Sequence, residues 1–148
     1  MSKKLSFKGT LDIGTEDKIS LKTIKGKVGY KITKLQALST KPGTVDHDEV
    51  LMQVFSKSQI GSIGNEVHFT NSELLAVCFY EDNDNPAYMA SNLIIFDNQP
   101  FNQDIFISAT DVGGGTKPVN YYMEIETMEL NDLQATQLTL KNLRTITS

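Results

Sequence analysis

Alternation of apolar and polar residues, broken every ~8 to 15 residues by turn-forming clusters, constrains this chain more than any other feature of its sequence. Successive side chains on a strand point to opposite faces, so the pattern predicts half-buried β-strands rather than helices. Leu5, Phe7, Leu11 and Ile13 share one face of the first strand, with Gly9 marking a bulge and residues 14–17 the turn after it. Residues 18–24 repeat the pattern, and 27–35 alternate again with Val28, Tyr30 and Ile32 inward, before Pro42 and Gly43 turn the chain. Residues 50–56 form a fuller apolar run suited to a central strand buried on both faces, and 66–70 read as a short strand. The runs 74–80 and 90–96 flank a polar loop and predict a hairpin. Two further strands, 104–109 and 119–128, enclose the glycines 113–115, read as a hairpin loop. In the last strand Tyr121, Met123, Ile125 and Thr127 face one way, and Tyr122, Glu124, Glu126 and Met128 the other. One face is therefore dry and the other acidic.

The period changes after Leu130. Asn131 or Asp132 can cap a helix, and Leu133, Thr136, Leu140 and Leu143 follow at three- and four-residue spacing, opposite Gln137 and Lys141. A helix at about 131–145 is too short to be stable alone, so its leucine stripe is expected against the sheet or another subunit. Residues 1–148 thus read as one all-β domain, an antiparallel β-sandwich, jelly-roll-like, with one short C-terminal α-helix. No run approaches the ~20 apolar residues of a membrane span, and no apolar segment of signal-peptide length follows the N-terminal lysines, so folding in a reducing cytoplasm is expected.

Charge is distributed unevenly. Residues 1–41 hold ten lysines against three acids, which gives +7 there and leaves −11 on the remainder of a chain whose net charge is −4. A basic beginning and an acidic body can dock between copies, which makes Lys3, Lys4, Lys8, Lys25 and Lys27, together with Glu124 and Glu126, candidate assembly contacts. Leu133, Leu140 and Leu143 join them as an apolar stripe. Solvated strand faces explain the same lysines without any partner. Nucleic acid is the lesser reading, because the single arginine, Arg144, lies at the other end of the chain.

The usual catalytic constellations lack parts. His47 and His68 are the only histidines and Cys78 the only cysteine, the latter inside an apolar run, so no zinc cluster or internal disulfide is expected. No nucleophile elbow occurs, since Gly61-Ser62-Ile63-Gly64 has the wrong spacing. Gly113-Gly114-Gly115-Thr116-Lys117 reverses the order that a phosphate loop needs. Asp82-Asn83-Asp84-Asn85 has oxygen ligands, but Ala87 stands where a calcium loop needs glycine. Glu124 and Glu126 share a strand face, as exposed glutamates ordinarily do. The chain is therefore expected to be no enzyme and to need no cofactor.

The closing segment, Val119-Asn120-Tyr121-Tyr122-Met123-Glu124-Ile125-Glu126 through Leu130-Asn131-Asp132-Leu133 to Leu140-Lys141-Asn142-Leu143-Arg144, resembles the C-terminal end of small virion proteins from marine bacteriophages. The texture is similar too: short, free of catalytic motifs and rich in Asn, Thr and Ser. The resemblance implies a β-sandwich made in the host cytoplasm that assembles, with copies of itself and other virion proteins, into or onto a capsid. A second expectation on the same fold is a carbohydrate- or cell-surface-binding module. With no tryptophan in the chain, Tyr30, Tyr80, Tyr88, Tyr121 and Tyr122 would supply its sugar platforms.

Overall fold

The computed structural model describes residues 3–21, 28–41, 48–82, 90–96, 100–129, 131, 137, 138 and 140. They form eight strands: β1 (Lys4–Leu11), β2 (Glu16–Ile19), β3 (Val28–Ser39), β4 (Asp48–Phe55), β5 (Leu74–Asp82), β6 (Ala90–Ile95), β7 (Ile105–Asp111) and β8 (Val119–Glu129). A three-stranded sheet has the order β1-β8-β3 and a five-stranded sheet the order β2-β7-β4-β5-β6. Every strand pair is antiparallel.

The alternation read from the sequence becomes the division between core and surface. Along β8, Val119, Tyr121, Met123 and Ile125 are buried while Tyr122, Glu124 and Glu126 are half-buried on the other face. Leu11, Ile32 and Leu35 join them from β1 and β3, and Ile19, Met52, Val54, Cys78, Ile105 and Ile107 complete the same core from the five-stranded sheet. The two sheets therefore share one apolar interior. β4 is central, between β7 and β5, and buried from Val50 to Phe55, as a run apolar everywhere but Gln53 favours. Its outward side chains found a second, smaller cluster of Leu51, Phe55, Leu74 and Val77, closed over by Val67, Phe79 and Phe96.

Several expectations change. Gly9 makes no bulge, since β1 keeps one register with β8 from Lys4 to Leu11; the irregularity lies in β3, between Ile32 and Lys34. The turn into β2 comes earlier than expected, with Thr15 N–H donating to Asp12 O at 3.1 Å and Gly14 at φ 82°. Residues 66–70 form no strand. β4 already pairs on both edges, so this segment crosses the outer face of the sheet and satisfies its backbone through turns, as where Asn71 N–H donates to His68 O at 3.0 Å. Residues 113–115 do not join a hairpin, because β7 and β8 lie in different sheets. Residues 22–24 and the Pro42-Gly43 turn lie outside the described residues. So does most of the expected helix; of its described residues Gln137, Leu138 and Leu140 are helical and Asn131, a cap candidate, is not.

The β7–β8 crossing is shaped around Asp111, an 8% exposed residue. Its Oδ1 accepts from Gly113 N–H at 2.9 Å, while Oδ2 is sealed without a hydrogen-bond partner. A Cβ on Gly115 would collide with that Oδ2, and Gly114 holds φ 85°. Gly115→Ala is therefore expected to cost about 1–3 kcal/mol through displacement of a buried carboxylate, read as a lower thermal midpoint. An unchanged midpoint would show that the loop yields freely.

Candidate functional site

The basic and acidic contact residues meet within one chain. On the outer face of the three-stranded sheet, β8 presents Glu124 and Glu126 between two lysine-bearing strands. Lys4 of β1 and Lys31 of β3 stand opposite Glu126, and Lys34 stands opposite Glu124. Lys4 Nζ lies 3.3 Å from Glu124 Oε1, and the Tyr122 hydroxyl donates to Glu124 Oε2 at 2.9 Å. The tyrosine hydrogen bond first, then Lys4 and Lys34, hold the Glu124 carboxyl below its ordinary range; the same bond pushes the Tyr122 phenol up. Lys34 Nζ sits 6.0 Å from the centre of the Tyr122 ring, and Lys8 is that tyrosine's partner on β1. Lys3 N–H donates to Thr127 Oγ1 at 2.8 Å and Lys3 O accepts from Thr127 N–H at 2.8 Å, and Lys18 pairs with Asp104 at 3.2 Å. Antiparallel pairing has folded a basic beginning onto both flanks of an acidic strand. Such exposed pairs contribute little to stability and are screened by salt.

Lys25, Lys27, Leu133 and Leu143 lie outside the described residues. Leu140, expected on the buried stripe, is 54% exposed, whereas Leu138 is 7% exposed. Two helical residues apart is a turn of roughly 200°, so burying Leu138 turns Leu140 away.

Of the tyrosines expected as sugar platforms, Tyr30, Tyr80 and Tyr121 are buried, Tyr122 is engaged with Glu124, and Tyr88 lies outside the described residues. Cys78 is buried, and burial pushes its thiol up, away from a reactive thiolate. Among the described residues no group of three or more His, Cys, Asp or Glu is placed to hold a metal ion. His47 lies outside them; His68 Nε2 meets Glu66 Oε2 at 3.0 Å on the surface. No helix among the described residues is long and apolar enough to cross a membrane.

A different site emerges on the outer face of the five-stranded sheet. Residues 56–73 arch over β4 and β7 and form with them an open cavity of about 600 Å³. Its floor is a cross-strand pair, Gln53 of β4 opposite Ser108 of β7, each 5% exposed. The arch is anchored from both sides. Gln53 Nε2 donates to Glu66 O at 3.3 Å and Thr110 Oγ1 to Gly64 O at 3.3 Å, while Glu16 of β2 accepts from Ser58 Oγ at 2.9 Å and from Gln59 N–H at 3.2 Å. Phe55 walls one side, and Asn65, His68 and Asn71 line the mouth. Sequence reasoning passed over this site, although it had a signal: Gln53 and Ser108 each interrupt an apolar run, 50–55 and 105–109.

No family model matches the chain, and no curated protein or solved structure matches it significantly. Any functional reading must come from the fold and these two surfaces.

Proposed function

We propose that the chain is a structural protein of a virus particle, in the capsid shell or attached to it, working without catalysis through contacts with its own copies and other virion proteins. The observation that carries this reading is the strand pairing. A jelly roll is an eight-stranded antiparallel ribbon rolled up so that strand 1 pairs with 8, 2 with 7, 3 with 6 and 4 with 5, an architecture used by many capsid and lectin domains. Here β1 pairs with β8, β2 with β7 and β4 with β5. The fourth pair is replaced: β6 remains beside its hairpin partner β5, next to β3 in space without pairing to it. The C-terminal helix belongs to the same reading, with Leu138 buried and Leu140 turned outward as a contact.

Lys4 of β1 and Lys31 and Lys34 of β3 already face acids of their own chain, so salt-sensitive docking between copies loses much of its motive. Exposed apolar residues supply another. Ile60 is 80% and Phe69 57% exposed on the arch, and contacts through them persist in salt. Purified virus particles should contain the chain in many copies, and the isolated protein should sediment as an oligomer at both low and high ionic strength. Absence from particles, shown by mass spectrometry, overturns the proposal. A second reading, a carbohydrate- or cell-surface-binding module, is favoured by a separate observation, the polar cavity.

A further inference from the structure

We infer that the cavity beneath residues 56–73 is a binding site for a neutral, hydroxyl-rich ligand, the chemistry of a hexose unit in a glycan. The inference stands independently of the virion proposal, because it rests on the side chains that line the cavity, and neither Ile60 nor Phe69, the outward contacts of that proposal, is among them.

The floor is the first argument. Polar side chains more than nine-tenths buried are ordinarily hydrogen-bonded within the protein. Gln53 uses its amide nitrogen on Glu66 O, but its amide oxygen and the Ser108 hydroxyl have no partner among the described residues. Neither atom is sealed; the only sealed orphan among the described residues is Asp111 Oδ2. Both open valences therefore face the cavity that Gln53 and Ser108 line. An apolar pair at these positions would have matched Leu51 and Phe55, the neighbours of Gln53 on the same face, so the polar pair calls for a polar occupant.

The lining selects its class. Gln53, Asn65, Asn71, Ser62 and Ser108 offer amides and hydroxyls, groups that both donate and accept, which is what sugar hydroxyls require. Phe55 supplies a wall against which the C–H face of a pyranose ring can lie. Among the described residues no Lys or Arg lines the cavity and Glu66 is its one acid, so a phosphorylated or carboxylated ligand meets a carboxylate and no lysine or arginine there. The polar floor disfavours an apolar ligand. The volume suits one or two sugar units, within the range of small-molecule sites. Four hydrogen-bonded anchors hold the arch over its floor before any ligand arrives, so little ordering is needed on binding.

The test is a titration of the nitrogen-15-labelled full chain with glucose, galactose, mannose and N-acetylglucosamine, followed by nuclear magnetic resonance, together with a glycan array to extend the panel. At least one saccharide should give saturable shifts confined to residues 53–73 and 106–110. Ser108→Val removes the floor hydroxyl and Asn65→Ala a group at the mouth, well away from the core. Each should weaken binding at least about tenfold, a difference of ~1.4 kcal/mol, with the spectrum still dispersed. Should Ser108→Val fail to fold, Asn65→Ala carries the test alone. No response to any saccharide, shifts elsewhere on the chain, or variants that bind like the parent would each overturn the inference. A chain found in particles yet deaf to sugars sinks this inference alone; one that binds sugar but is absent from particles sinks only the virion proposal.

Discussion

Ile125→Ala is expected to destabilise the protein by about 2–5 kcal/mol, lowering its thermal midpoint by roughly 5–20 °C. Ile125 is 0% exposed in the middle of β8, with Leu5 of β1 and Ile32 of β3 as its lateral partners. It projects into the interior that the three-stranded sheet shares with Met52, Ile105 and Ile107 of the other sheet. Truncation leaves a void beneath β8, the one strand of its sheet that is paired on both sides, so little collapse can fill it. Val112→Ala, at a site 39% exposed, is the control and should move stability by less than about 0.5 kcal/mol. If the two variants melt alike, the sheets do not share a core.

Ile125 also shows what could be read before the fold was seen. Its burial follows from local alternation, which depends only on the two-residue period of a strand, while β4 and the β5–β6 hairpin were legible as apolar runs, the latter two flanking a polar loop. What alternation does not encode is which strand lies next to which. The glycines 113–115 look like a hairpin loop locally, yet β7 and β8 diverge into separate sheets because β8 is claimed by β1 and β3, far away in sequence. The charge pattern misled for a related reason: Lys4 and Glu124 are 120 positions apart, and only the β1–β8 register reveals that they are neighbours. Residues 66–70 alternate like a strand, but strand formation needs a free edge, and the strand beneath them has none. The cavity was hidden by the same shortfall. Gln53 and Ser108 are each a single polar residue in an apolar run until pairing sets them side by side.

Gly9→Val should lower stability by about 1–3 kcal/mol through overpacking, and the cause can be isolated. In place of a bulge, Gly9 provides room for its cross-strand partner Tyr121. A Cβ there would stand 2.8 Å from both Cε2 and the hydroxyl oxygen of that ring. The ring cannot simply swing aside. It is 7% exposed, and its hydroxyl crosses to the five-stranded sheet, donating to Asp17 Oδ2 at 3.2 Å. Removing the ring should therefore relieve the clash: Gly9→Val in a Tyr121→Leu background should cost less than in the parent chain, a double-mutant cycle that reads the coupling directly. The same tether has a pH signature. Burial first, then the Asp17 charge and hydrogen bond, push the Tyr121 phenol from 10.0 to about 12. A pKa raised on folding means the stabilisation is complete below pH 10 and disappears as pH rises through the folded value near 12. Tyr121→Phe has no such proton to lose, so the stability difference between parent and variant should shrink across that window. Additive costs in the cycle, or a difference that stays constant with pH, would mean that Tyr121 neither occupies the space over Gly9 nor ties the two sheets together.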